Sequence, residues 1–243
     1  MEEDQYIRIN KYLSEVGFCS RRAADKLLAE ARITINGKVP ELGTKVGPTD
    51  VVAVDGESVG KPKQVHTYIA FNKPVGIVST TDTKGEKDNI IDYIGHPQRI
   101  FPIGRLDKDS EGLIFLTSEG DIVNKILRAK NNHEKEYIVT VDRPVNDEFI
   151  RLMGAGVPIL DTVTDPCRVE RISKFKFRII LTQGLNRQIR RMCEHFGFKV
   201  VQLKRIRIMN VHLDIPVGKW RDLTDKEMAE INDMISDSSK TFD

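Results

Sequence analysis

Apolar residues recur at helical spacing near the start of the chain. Ile9, Tyr12, Leu13 and Val16 fall on one face of a predicted helix, and Gly17 supplies its stop. Ser20 can cap a second helix whose apolar face is Ala24, Leu27, Leu28 and Ala31. The spacing then shortens. Ile33–Ile35 reads as a strand running into an Asn36-Gly37 turn, and Val51–Val54 as another before Asp55-Gly56. Gly60-Lys61-Pro62-Lys63-Gln64 reads as a linker. The pattern therefore predicts a small domain over residues 1–60, a linker over 61–67, a larger domain over 68–235 and a frayed tail over 236–243. In the larger domain, strands are predicted at Tyr68–Asn72, Leu113–Thr117, Tyr137–Val141, Phe177–Thr182 and Val200–Leu203. Helices are predicted at Ile122–Arg128, Asp147–Met153, Arg187–Phe196 and Asp225–Ile235, the last opened by a Thr224/Glu227 capping box. Strands in the majority with scattered helices predict an α+β fold on a mixed or antiparallel sheet.

Composition narrows the function classes. No apolar run is long enough to span a bilayer, and the acidic Met1-Glu2-Glu3-Asp4 start does not read as a secretory signal. The three cysteines, Cys19, Cys167 and Cys193, are scattered and form no Cys-x-x-Cys pair. Neither a disulfide framework nor a zinc site is indicated, and a reducing cytoplasm is the expected setting. The net charge of +2 hides an uneven distribution. From Arg171 to Met209 there are eleven Lys and Arg against one acid, Glu194. A basic segment within an otherwise acidic chain is the footprint of a polyanion partner, although a solvated basic face has the same composition.

Two helix starts sharpen that reading. Arg21 and Arg22 follow the Ser20 cap, where cations oppose the helix dipole and the free N–H groups favour an anion. In the helix from Arg187, the residues Ile189, Met192, Cys193 and Phe196 share one face. Arg187, Arg190, Arg191 and Glu194 share the opposite one. Gly184 offers a tight turn into this helix. Arginine suits bidentate phosphate or carboxylate recognition.

Gly104-Arg105-Leu106-Asp107-Lys108-Asp109-Ser110-Glu111-Gly112-Leu113 places three acids and two cations between apolar segments. It opens like a calcium loop, but the twelfth position is Ser118 and the flanks are strands, so that reading fails. A plain turn and a catalytic loop remain. In the second, a carboxylate stands beside Arg105 and Lys108, which can hold a phosphodiester. Chemistry alone does not choose among the three acids.

This loop resembles the catalytic motif of the pseudouridine synthases of the small-subunit ribosomal type. The essential aspartate of that motif falls on Asp107. Asn72-Lys73-Pro74-Val75-Gly76 is similar to a first family motif, and Glu134-Lys135-Glu136-Tyr137 to a second, which carries an active-site tyrosine. Gly184-Leu185-Asn186-Arg187-Gln188-Ile189-Arg190-Arg191-Met192 is similar to a third, whose Gln-Ile-Arg arginine pairs with the aspartate. The N-terminal unit resembles the alpha-L RNA-binding module of ribosomal protein S-four. It does so through Arg8–Leu13, Cys19–Arg22 and Ile35-Asn36-Gly37, with Ala31-Arg32 where that module usually has a glycine.

The resemblance implies an isomerase that turns uridine into pseudouridine, with Asp107, Tyr137 and Arg190 catalytic. It implies RNA contact by Lys11, Arg21, Arg22, Lys73, Arg105, Leu106, Lys108, Arg187, Gln188, Ile189 and Arg191. Asp107 would act ionised, as nucleophile at the sugar or as base on ribose, with Arg190 beside it. Tyr137 would stack on the uracil. Isomerisation calls for no metal and no cofactor, and the chain carries no nucleotide-binding glycine loop. The implied substrate is 23S ribosomal RNA, with a tRNA as a second candidate, acted on by a cytoplasmic monomer. A non-catalytic ribosome-assembly protein is the competing reading. It accounts for the basic segment but not for the acidic loop, because carboxylates beside phosphates repel. A nucleoside or glycoside hydrolase would use paired carboxylates but needs no polymer-binding surface.

Overall fold

The computed structural model describes residues 6–60, 66–127 and 132–236. The expected linker lies largely outside the described residues, as do Arg128 of one expected helix and all but the first residue of the expected tail. The chain divides into two compact units, Met1–His66 and Thr67–Asp243.

The first unit runs β1 (Ile7–Arg8), α1 (Ile9–Glu15), α2 (Arg21–Ala29), β2 (Ile33–Ile35), β3 (Lys45–Val46), β4 (Val52–Val54) and β5 (Glu57–Ser58). Gly17 ends α1 at φ +78°, and the Phe18 and Gly17 amides donate to the Leu13 and Ser14 carbonyls at 3.0 and 3.2 Å. That pairing closes the helix as its sequence implied. Ser20 caps α2 by accepting from the Ala23 amide at 3.1 Å. Asn36-Gly37 and Asp55-Gly56 both take positive φ, the geometry of two-residue hairpin turns. Ile9, Leu13, Ala24, Ile33 and Val52 are buried together between helices and strands. Ala31 is outside α2, exposed and left-handed at φ +53°. A glycine would adopt that conformation without strain.

The second unit runs β6 (Tyr68–Lys73), α3 (Ile90–Ile94), β7 (Phe101–Ile103), β8 (Glu111–Thr117), α4 (Gly120–Leu127), β9 (Lys135–Val141) and α5 (Asp147–Gly154). It continues with β10 (Pro158–Ile159), β11 (Thr162–Val163), β12 (Arg168–Ser173), β13 (Lys176–Leu181), α6 (Gln188–His195), β14 (Val200–Ile208), β15 (Val211–His212), β16 (Trp220–Asp222) and α7 (Asp225–Met234). Nine strands form one sheet in the order β12-β13-β9-β14-β8-β6-β16, with β15 on β14 and β7 on β8. Its pairings are antiparallel except β14 with β8, so the sheet is mixed. The fold is α+β.

Strand β13 alternates buried Phe177, Ile179 and Leu181 with more exposed neighbours, as a strand with one covered face must. Strands β6 and β8 are buried on both faces. Ile69, Phe71 and Leu116 enter a core with α5 and α6, while Ala70, Leu113 and Phe115 enter a second core with α4 and α7. Thr224 and Glu227 form the expected capping box on α7. No helix among the described residues is long and apolar enough to cross a membrane.

Two features of this sheet fix the site. The loop Gly104–Ser110 leaves β7 and returns as β8, where Gly112 faces Arg205 of the parallel β14. Gly112 has φ +112°, and a Cβ there would overlap the Arg205 carbonyl oxygen. Only glycine lets the two strands approach this closely. On the other side of β14, Arg205 stands opposite Tyr137 of β9.

Candidate active site

The acidic loop, the turn into α6 and the strands β9 and β14 surround a cleft of about 460 Å³. Arg105, Leu106, Asp107, Lys135, Tyr137, Arg187, Gln188, Ile189 and Arg205 are among its lining residues. A second, more open hollow adjoins it, lined by Val75, Gly76, Val78, Lys108 and Asp109 and sharing Arg105, Leu106, Asp107 and Arg187. Asp107 therefore stands between a partly enclosed cavity and an open groove, with its side chain one-third exposed.

Two arginines face this carboxylate, at longer range than they face its neighbour. Arg187 Nη1 is 3.6 Å and Arg190 Nε 3.9 Å from Asp107 Oδ2. Arg187 forks onto Asp109 at 3.3 and 3.4 Å. Arg190 Nη2 donates to the Asp109 carbonyl at 2.9 Å and to Ser110 Oγ at 3.1 Å, and is 3.3 Å from the Asp109 carboxylate. Burial works to raise the Asp109 pKa, but the Arg187 hydrogen bonds and the charges of Arg190 and Arg187 outweigh it, leaving the group below its ordinary value. Arg190 Nε is buried with no hydrogen-bond partner and has Asp107 as its nearby carboxylate. The expected pairing of Arg190 with Asp107 is thus a close approach of charges, while the hydrogen bonds hold Arg190 to Asp109 and Ser110.

The α6 start differs from the sequence pattern in two ways. Arg190 is buried, on the same side as Ile189, Met192 and Cys193, not on the solvent face with Arg191. The residue that turns the chain is Arg187, left-handed at φ +49°, whereas Gly184 has no positive φ. Arg191 donates to the Asn186 carbonyl and Oδ1 at 3.0 and 3.1 Å.

The remaining expected contacts sort by exposure. Arg105, Lys108, Arg187, Arg21 and Arg22 are exposed. Lys108 lies 3.6 Å from both Glu86 and Asp88, and Lys11 pairs with Glu15 at 3.4 Å. Leu106, Gln188 and Ile189 are buried, so each offers the cleft a sliver of wall. Gln188 accepts from the Leu185 amide at 2.9 Å and donates to Gln183 at 3.2 Å, which ties down the turn. Lys73 corrects the expectation of RNA contact. It is fully buried and donates to the Pro74 and Ile77 carbonyls at 2.9 and 2.7 Å. Burial pushes its amine down to about 8, against the opposing pull of Asp107 and Asp109.

The sequence reading assigned no role to Lys135 or Arg205. Lys135 precedes Tyr137 by two, so strand alternation alone puts both on one face. Arg205 donates to the Leu113 carbonyl at 2.6 Å, lies 3.5 Å from Tyr137 Oη and stacks its guanidinium 5.9 Å from that ring.

Comparison with known proteins fits this arrangement. The profile described as RNA pseudouridylate synthase matches residues 67–195, and that of the S4 domain matches residues 7–52. The chain belongs to the RNA pseudouridine synthases. The dual-specificity RNA pseudouridine synthase RluF of Escherichia coli O157:H7 is 59% identical over 98% of this chain and 83% of its own length. The ribosomal large subunit pseudouridine synthase B of Bacillus subtilis is 33% identical over 97% of this chain and 99% of its own. A crystal structure of a pseudouridylate synthase superposes with a TM-score of 0.68 at 27% identity, covering 93% of this chain and 99% of that one. The pseudouridine synthase is thus an RNA-acting isomerase with an N-terminal S4 domain, and the assembly-protein and hydrolase readings fall away.

Proposed function

We propose that Asp107 is the catalytic carboxylate of this pseudouridine synthase, with Tyr137 and Arg190 as its partners. The carrying observation is its position: a partly exposed carboxylate on the wall of the cleft, faced by two arginines and sharing that cleft with Tyr137. Attack at the sugar and proton removal from ribose both call on a carboxylate at the reacting sugar, and the Arg187 and Arg190 guanidinium groups stand 3.6 and 3.9 Å from Asp107. Tyr137 offers a flat face for the uracil.

The target uridine must leave its stack to enter the cleft, at a cost of a few kcal/mol. Phosphate contacts offset that cost. Arg105, Lys108 and Arg187 border the open groove beside Asp107 and suit the backbone around the flipped nucleotide. Arg21 and Arg22, at the N-terminus of α2, suit a second stretch of RNA. Arg191 is held by Asn186, so its role is to brace the turn rather than to meet phosphate first.

The proposed substrate is 23S rRNA, with a tRNA as a second one, modified in the cytoplasm by a monomer. Two relatives support the RNA assignment. One is named for the large ribosomal subunit and the other for dual specificity. The test is to map pseudouridine in 23S rRNA and in total tRNA, each incubated with and without the protein. A chemical adduct that stops reverse transcription at pseudouridine supplies the readout. The reading expects one new stop in the rRNA and a second in a tRNA. No new stop in either RNA would refute the substrate assignment.

A further inference from the structure

Two cations are buried in the wall of the cleft. Lys135 is 8% exposed and Arg205 4% exposed, and both line the cavity beside Tyr137. Among the described residues no carboxylate lies within ion-pair distance of either, and Asp107 is the one acid in the cleft lining. Among the described residues the Lys135 ammonium makes two long bonds, to the His133 and Thr182 carbonyls at 3.3 and 3.4 Å. Arg205 Nη2 is buried with no acceptor. Burial, and then the charge of Arg205, brings the Lys135 amine down to about 8. Uncompensated buried charge of one sign is costly, and a ligand that supplies negative charge or carbonyl acceptors removes the cost.

The reaction supplies such a ligand. When the C1′–N1 bond breaks, its electron pair leaves on the ring, and the charge spreads over N1, O2 and O4. The new bond forms with a ring electron pair joining C5 to C1′. C5 then loses a proton and N1 gains one, so the product is an isomer. While detached, the ring is an anion that has to turn without escaping.

We propose that Lys135 and Arg205 form a cationic seat for this ring, donating to its carbonyl oxygens and holding its charge while it is free of the sugar. The proposal rests on the pseudouridine synthase reading and names two groups that this reading does not assign. Donors placed for charge that develops during bond breaking stabilise the transition state more than the ground state. Both groups are donors only, so the seat also selects against cytosine, whose exocyclic amine is itself a donor where uracil has a carbonyl.

The test uses the full-length protein and a short RNA carrying uridine, 2-thiouridine or 4-thiouridine at the mapped position. Sulfur accepts hydrogen bonds poorly. In the wild-type protein, at least one thio substitution should slow single-turnover isomerisation about tenfold, the size of one charge-assisted hydrogen bond. In Lys135→Met and Arg205→Met the uridine reaction should itself be slow, and the same thio substitution should cost less than about twofold. Arg205→Lys serves if Arg205→Met does not fold, since it keeps the charge and loses the fork. Equal thio penalties in all proteins would overturn the seat. So would unchanged thio penalties with a salt slope of RNA binding reduced by one phosphate, which would make these cations backbone contacts. Failure of the wild-type protein to isomerise uridine would strike at the activity itself, not at the seat.

Discussion

Asp107 and Asp109 are two residues apart and both face Arg187 and Arg190, yet the structure divides their work. Asp109 takes the hydrogen bonds and Asp107 takes the cleft. Asp109→Asn should therefore keep the carbonyl contact to Arg190, weaken the fork to Arg187 and slow turnover by about tenfold through misplaced arginines. Arg190→Ala removes a buried cation with two good hydrogen bonds. It should lower stability by about 3 kcal/mol, or roughly 6–12 °C in a domain of this size, and abolish turnover. Arg191→Ala breaks only an exposed bracket to Asn186, so thermal melts should place it within a few degrees of wild type. If Arg190→Ala melts like Arg191→Ala, the hydrogen bonds to Asp109 and Ser110 do not hold the site together. Ala31 is a milder case. Its left-handed backbone costs about 1 kcal/mol that glycine avoids, so Ala31→Gly should be neutral to stabilising in urea melts, against the usual direction of Ala-to-Gly changes.

At the scale of elements, local signals carried the N-terminal unit. The Gly17 stop, the Ser20 cap and the two hairpin turns are each written in adjacent residues, and all form as read. In the larger unit, runs such as Leu113–Thr117 were legible because β8 is buried on both faces. Strand β12, Arg168–Ser173, was not, because it is an edge strand with mostly polar, exposed residues. Strand β14 continues past Leu203 through Lys204-Arg205-Ile206-Arg207-Ile208, where charge masked the alternation. Arg205 was missed for that reason: its meaning lies in the register that sets it against Tyr137 and Gly112, which no local pattern records. The motifs located Asp107, Tyr137 and Arg190, but the contacts of Lys73 and Asp109 depend on packing between distant segments. Gly112 tests the register. Gly112→Ala would force β8 away from β14 and should cost more than about 3 kcal/mol, visible as loss of soluble protein or a collapsed melting temperature. A variant with wild-type stability would mean that β8 and β14 can separate freely there.

The whole molecule sums these charges into two measurable dependences. Lys73 and Lys135 have folded-state values near 8 against 10.5 when exposed. Below pH 8 both states are protonated and the burial cost is complete. Between pH 8 and 10.5 the folded state sheds protons first, so these two groups make stability rise with pH across that window. Urea melts at pH 7 and 9 should show this rise in the wild type, and a smaller one in Lys135→Met. Salt reads the other surface. Replacing Arg21 and Arg22 with Ala should weaken RNA binding and flatten its salt dependence by about one phosphate per lost contact, while turnover at saturating RNA survives. Both dependences surround a single claim, that one carboxylate carries the chemistry. Asp107→Asn changes charge but almost no volume, and should leave folding and RNA affinity close to wild type. The most direct measurement is single-turnover conversion at saturating RNA by Asp107→Asn beside the wild type, with pseudouridine quantified by mass spectrometry of the digested RNA. The account predicts no pseudouridine above background from a folded, RNA-binding variant. Conversion by that variant within tenfold of the wild-type rate would contradict it.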